Sequence, residues 1–162
     1  IAIGSGHLMR CLTLARELFN FGNNIIFITQ KDSLSFLPVE FPKNYIHHEL
    51  CCDFDKENSV LQNLLENDCD WLIIDHYELD EVYEKACQSW ARNIMCIDDL
   101  ANRKHCCDIL LDQTLGRTKD EYAHLVNQSC RLLVGVEYAL VRNDFITLRK
   151  KTVKNRDNIS QV

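Results

Sequence analysis

An α/β fold built on a doubly wound, mainly parallel sheet is the class this sequence predicts, and three observations predict it. Short β-rich runs alternate with helical apolar periods along the 162 residues. One run, Trp71-Leu72-Ile73-Ile74, is apolar without a break, as suits a strand covered on both faces. Polar groups follow three successive strand candidates directly: Asp75-His76-Tyr77, Asp98-Asp99 and Asp112-Gln113-Thr114. In open parallel sheets ligands bind outside the carboxyl ends of the strands, so these groups converge on the rim where a site is expected.

The elements follow in order. After the glycine loop Gly4-Ser5-Gly6-His7, the residues Leu8, Leu12, Ala15, Leu18 and Phe19 recur at helical spacing, with Arg10, Thr13, Glu17 and Asn20 on another face and Gly22 closing the segment. Residues 24–30 (NIIFITQ) read as a buried strand. A less regular stretch with Pro38 and Pro42 leads to a weaker strand candidate at 45–50. Residues 55–67 place Val60, Leu61, Leu64 and Leu65 on one helical face, ahead of the strand at 71–74. A helix at 80–92, with Val82, Tyr83, Ala86, Cys87 and Trp90 inward, precedes a strand at 94–97. A strand at 109–111, a helix at 119–126, a strand at 132–134 and a terminal helix at 143–151 complete the series. This pattern is Rossmann-like, and the glycine loop opens the same rim if a further strand lies just before it. Ile159-Ser160-Gln161-Val162 reads as the start of another strand, and the chain as a fragment of something larger.

Composition narrows the function classes. With 46% hydrophobic residues the chain buries the core of one ordinary domain. A net charge of -6 and a pI near 5.5 offer no broad basic footprint, which argues against nucleic acid as a partner. No run approaches the roughly 18 apolar residues of a membrane span, and no leader pattern is present, so the expected location is the cytoplasm. Nine cysteines, an odd number scattered among apolar residues, fit reduced thiols. A metal site would draw on His47, His48, Cys51, Cys52, His105, Cys106 and Cys107, but adjacent Cys-Cys pairs lack the C-x-x-C spacing that lets two thiolates grip one zinc.

The glycine loop carries the chemistry. It lacks the Gly-Lys-Ser/Thr end of a P-loop, and Met9 stands at the third glycine position of a dinucleotide fingerprint, with no acidic residue ending the strand Ile28-Thr29-Gln30. What remains is general: glycines let a ligand approach the backbone, and a helix N-terminus favours negative charge. The same dipole favours the neutral form of His7, a form able to take a proton from water. Equally, a histidine there can hydrogen-bond a neighbouring loop, Arg10 can be a solvated helix residue, Asp75, Asp98 and Asp99 can be caps, and Tyr77 can cover the sheet edge.

Taken together, IGSGHLMRCLTLA, IIDHYELD, IDDLANRKHCCDILLDQ and GVEYALVR resemble, in order and over nearly the whole chain, the UDP-2,4-diacetamido-2,4,6-trideoxy-β-L-altropyranose hydrolase family of pseudaminic acid biosynthesis. The resemblance implies the N-terminal half of a two-domain protein of glycosyltransferase-B architecture: a Rossmann-like domain at 1–155 without its first strand, and at 156–162 the start of a link to a C-terminal, UDP-binding domain. It implies hydrolysis of the UDP-sugar by water with inversion, in the service of a bacterial surface glycan. His7 would be the base, with Gly4, Gly6, Arg10, Tyr77 and Asp98 as substrate-binding residues. The implied partners are the small UDP-sugar and the chain's own C-terminal domain, with no cofactor, metal, nucleic acid or membrane. Thr114 stands where the family usually carries Asn. Two alternatives stay open: a transferase of the same architecture, and a noncatalytic nucleotide-sugar binding module.

Overall fold

The computed structural model describes residues 5–52, 54–65, 69–142, 145, 147 and 148. Gly4, the terminal helix read at 143–151 save three of its positions, and the link at 156–162 lie outside the described residues. Helix α1 spans Ser5–Asn20 and is followed by strands β1 (Ile26–Gln30) and β2 (Ile46–Leu50), helix α2 (Phe54–Leu64), strand β3 (Leu72–Ile74) and helix α3 (Glu81–Cys87). Strands β4 (Ile94–Ile97), β5 (Ile109–Asp112) and β6 (Arg131–Val134) complete the sheet elements.

Every strand pairing is parallel, with β1 beside β2 and the order β3-β4-β5-β6 in a second group. Side chains alternate across a strand, and β1 shows both faces covered. Phe27 packs against the cluster of α1 residues Leu12 and Ala15 with Tyr45, whereas Ile28 packs against the other core cluster, which holds Leu61, Ile74, Trp90 and Leu110 among others. The fold is therefore Rossmann-like α/β, with helices on both sides of parallel strands. Ile28 and Ile74 share one core, yet among the described residues β1 and β3 are not paired with each other.

Local chemistry explains where the helices stop. Helix α1 ends in a Schellman arrangement: the Gly22 amide donates to the Phe19 carbonyl at 2.9 Å and Asn23 to Leu18 at 3.2 Å, with Gly22 at φ 88°. Helix α3 starts at Asp80, whose side chain accepts from the Val82 amide at 2.9 Å.

Two elements differ from expectation. The helix expected at 80–92 closes at Cys87; of its expected inward residues Cys87 and Trp90 are buried and Tyr83 half-buried, but Val82 and Ala86 are exposed while Glu84 is fully buried. Glu84 goes inside because buried donors await it, the His105 Nδ1 at 2.6 Å and the Cys106 amide. The expected helix at 119–126 is a single 3-10 turn, Lys119–Tyr122, whose Thr118 and Glu121 form a capping box. Tyr122 is pulled fully inside by two carboxylates, which ends the helical course.

Candidate functional site

The site assembles where the first turn of α1 meets the carboxyl end of β3. Because α1 buries Leu8, Leu12 and Ala15, its adjacent face, His7 and Arg10 one turn apart, is turned toward the strand ends. Asp75, the first residue after β3, receives both. His7 Nδ1 lies 2.6 Å from Asp75 Oδ1, Arg10 Nε donates to Asp75 Oδ2 at 2.6 Å, and Arg10 Nη2 donates to Oδ1 at 2.5 Å. Arg10 Nη1 reaches Asp99, after β4, at 2.9 Å. The Asp75 side chain is 3% exposed and those of His7 and Arg10 about a tenth.

Burial by itself would push Asp75 up, but the hydrogen bonds and charges of Arg10 and His7 outweigh it and hold the carboxyl below its ordinary value. For Arg10, burial acts to lower and the two carboxylates to raise, with a net upward result. Asp75 is thus an ionised acceptor, and a 2.6 Å contact with an imidazole nitrogen needs a proton between them. That proton sits on His7 Nδ1, so the neutral ring carries its lone pair on Nε2. Arg10 Nη2, 3.1 Å from the same Nδ1, adds positive charge beside the ring rather than a second proton.

Tyr77 stacks edge-on against His7, with ring centroids 4.5 Å apart at 88°. Its phenol is pushed up, first by burial and then by the negative charge of Asp99. The middle residue of this triplet, His76, turns into its own loop, its Nδ1 accepting from the Glu78 amide at 3.1 Å. Gly6 lies on an open surface, where a Cβ would meet nothing within 4 Å. It lines, with Met9, Arg10, Thr13, Gln113 and Arg142 among others, a cleft of about 450 Å³ beside the histidine.

Of the residues singled out from sequence, His7, Arg10 and Tyr77 come together, with Gly6 at the neighbouring cleft. Asp98 stands apart. It is 1% exposed, with Oδ1 accepting from Arg103 at 2.7 Å and Oδ2 from Tyr122 at 2.9 Å and the Ala101 amide at 2.9 Å. Burial would raise it, but His105 at 3.7 Å, the charge of Arg103 and the bonds from the Ala101 amide and Tyr122 hold it well below the usual carboxylate range. The carboxylate that faces Arg10 is its neighbour, Asp99. Sequence reading left Asp75 and Asp99 without a role; the one available signal was their position directly after strands β3 and β4.

The cysteine and histidine pairs do not assemble as a metal centre among the described residues. The trio with closely spaced ligand atoms is instead Glu84, Cys96 and Cys107, all buried. Glu84 is already engaged by His105 and Cys106. Contact with Cys107 draws the Cys96 thiol down, but burial and the charge of Glu84 leave it above its ordinary value.

The fold and site together define a Rossmann-like α/β domain carrying an aspartate-oriented histidine at the strand carboxyl rim. Over 150 residues the chain is 32% identical to the UDP-2,4-diacetamido-2,4,6-trideoxy-β-L-altropyranose hydrolase of Campylobacter jejuni, a match covering 88% of this chain and 49% of that protein. It is 26% identical over 162 residues to the uncharacterized protein MJ1062 of Methanocaldococcus jannaschii, covering 98% of this chain and 32% of the relative. The chain therefore spans 32% of the length of one of these relatives and 49% of the other. No family model matches it. No described helix is long and apolar enough to cross a membrane.

Proposed function

We propose that this chain is the N-terminal domain of a nucleotide-sugar hydrolase that releases UDP from UDP-2,4-diacetamido-2,4,6-trideoxy-β-L-altropyranose. The observation that carries the reading is the His7–Asp75 contact of 2.6 Å, which holds Nδ1 as the donor and gives Nε2 of the neutral ring the role of base. The name of the Campylobacter relative supplies the substrate. In the reaction Nε2 takes a proton from water, the water oxygen attacks the anomeric carbon from the face opposite the leaving group, and the bond from that carbon to the diphosphate oxygen breaks with inversion. UDP leaves as a stabilised anion, so a second carboxylic acid of the usual glycosidase kind is unnecessary.

Asp75 keeps the tautomer and stabilises the imidazolium as it forms. Arg10 keeps Asp75 ionised. Tyr77 restrains the imidazole from its face and contacts the sugar. Gly4 and Gly6 admit the substrate to the N-terminus of α1, whose dipole favours the departing negative charge. Residues 1–155 form the domain, with 156–162 leading to a C-terminal domain that holds UDP. The cytoplasm is the expected compartment.

The test follows UDP release by the full-length protein without an acceptor, beside His7→Asn. Positioned base catalysis contributes about 10²–10⁴-fold, and the variant is expected to lose that much while unfolding at the same denaturant concentration. Equal activity of the two proteins refutes His7 as the base. Release only when an acceptor sugar is added identifies a transferase instead.

A further inference from the structure

Arg103 lies outside the His7 cluster, yet each of its three guanidinium nitrogens donates a hydrogen bond. Nη2 donates to the His76 carbonyl at 2.9 Å, Nε to the Leu79 carbonyl at 2.9 Å, and Nη1 to the buried Asp98 carboxylate at 2.7 Å. The two carbonyls bracket Tyr77 and Glu78, so one side chain grips both ends of the turn that presents Tyr77 to His7. Asp98 is itself anchored. Tyr122 donates to it from behind, at 2.9 Å, and the Ala101 amide closes the turn that begins there. The cation is about one seventh exposed and Asp98 not at all, which makes the grip costly to leave half-made.

A buried arginine aimed at backbone carbonyls fixes a loop, because main-chain oxygens offer no other partner when solvent is excluded. The loop between β3 and α3 carries Asp75 at its root and Tyr77 at its tip, and no regular secondary structure holds that tip. We propose that the Asp98–Arg103 pair is a positioning element for the site, setting Tyr77 against His7 through the carbonyls of His76 and Leu79. Asp98 then serves the reaction from behind the rim rather than by touching substrate. This inference rests on the hydrolase reading for its kinetic consequence but not for the clamp itself. Lysine cannot replace the arginine, since one ammonium cannot span three acceptors in a planar fork.

The experiment uses the full-length protein with Arg103→Lys, Arg103→Gln, Tyr77→Ala and the double variant Tyr77→Ala/Arg103→Gln. It measures amide hydrogen exchange over residues 76–79 together with steady-state UDP release. The expected result is faster exchange confined to that loop in both arginine variants, and a fall in kcat on the order of 10²-fold, the scale of a displacement near 1 Å. In the Tyr77→Ala background the same arginine change should have far less effect, because the residue it positions is gone. A merely structural role predicts additive losses and a lowered unfolding midpoint that accounts for them. Unchanged loop exchange, or additivity in the double variant, overturns the proposal. If the parent releases no UDP at all, the hydrolase reading and the kinetic role fall together, while loop exchange still decides whether the clamp exists.

Discussion

Replacing Asp75 by Asn probes the atom on which the site turns. In the parent, Oδ1 accepts from His7 Nδ1 and Arg10 Nη2, and Oδ2 accepts from Arg10 Nε, all within 2.6 Å. An asparagine offers one oxygen and one NH2 group in the same place. With the nitrogen toward His7, it donates to Nδ1, sends the ring proton to Nε2 and removes the base. With the oxygen toward His7, the NH2 group meets Arg10 Nε donor to donor. Neither orientation keeps both contacts, and the negative charge that stabilises the imidazolium is lost in either. The expected kinetic loss is about 10²–10⁴-fold in kcat, the whole worth of a positioned base.

Stability should fall as well. Breaking a buried ion pair by removing one partner costs about 3–5 kcal/mol, and the low end applies because Arg10 keeps Asp99 and one acceptor remains. A loss of about 3 kcal/mol in urea unfolding is therefore expected. His7→Asn/Asp75→Asn should be no slower than His7→Asn, since the two residues act as one unit. The reasoning is refuted if Asp75→Asn, folded at the assay temperature, keeps kcat within about threefold of the parent, the range of an incidental change.

Two further outcomes follow from the buried groups. Burial acts to lower His105, but the Asp98 carboxylate 3.7 Å from its Nε2 and the Glu84 carboxylate 2.6 Å from its Nδ1 raise it to about 9 from 6.5, so its stabilisation is complete below pH 6.5 and lost as pH rises through about 9. Chemical unfolding from pH 7 to 8.5 should show stability falling by about 1 kcal/mol or more per pH unit, a slope absent in His105→Gln; equal slopes would sink the assignment of charge to His105. For the thiols, Cys51 is exposed whereas Cys87, Cys96, Cys106 and Cys107 are buried, and burial pushes Cys87 up to about 12. A thiol reagent at pH 7 should label Cys51 first and those four only on unfolding, and early labelling of any of the four by peptide mapping would contradict the packing.

The division between sequence and structure follows from the range over which each force acts. Parallel α/β architecture, the strand at 94–97, the strand read at 71–74 and found at 72–74, and the cap at Gly22 were legible because burial on two faces and left-handed backbone leave local marks. The glycine-flanked His7 was legible as an unusual residue at a helix start. Its function was not, because a base needs an orienting partner, and Asp75 lies 68 residues away. Likewise Val82 reads as core and Glu84 as surface until His105 and Cys106, from another loop, supply the donors that draw the carboxylate inside. Asp98 and Asp99 are identical letters side by side, yet the chain's turn after β4 sends one behind the rim to Arg103 and the other forward to Arg10. Periodicity and propensity are properties of neighbouring residues and determine which elements form. Charge placement is settled by partners distant in sequence, and only the tertiary structure decides which carboxylate is buried, which nitrogen of His7 holds the proton, and which is left to do chemistry.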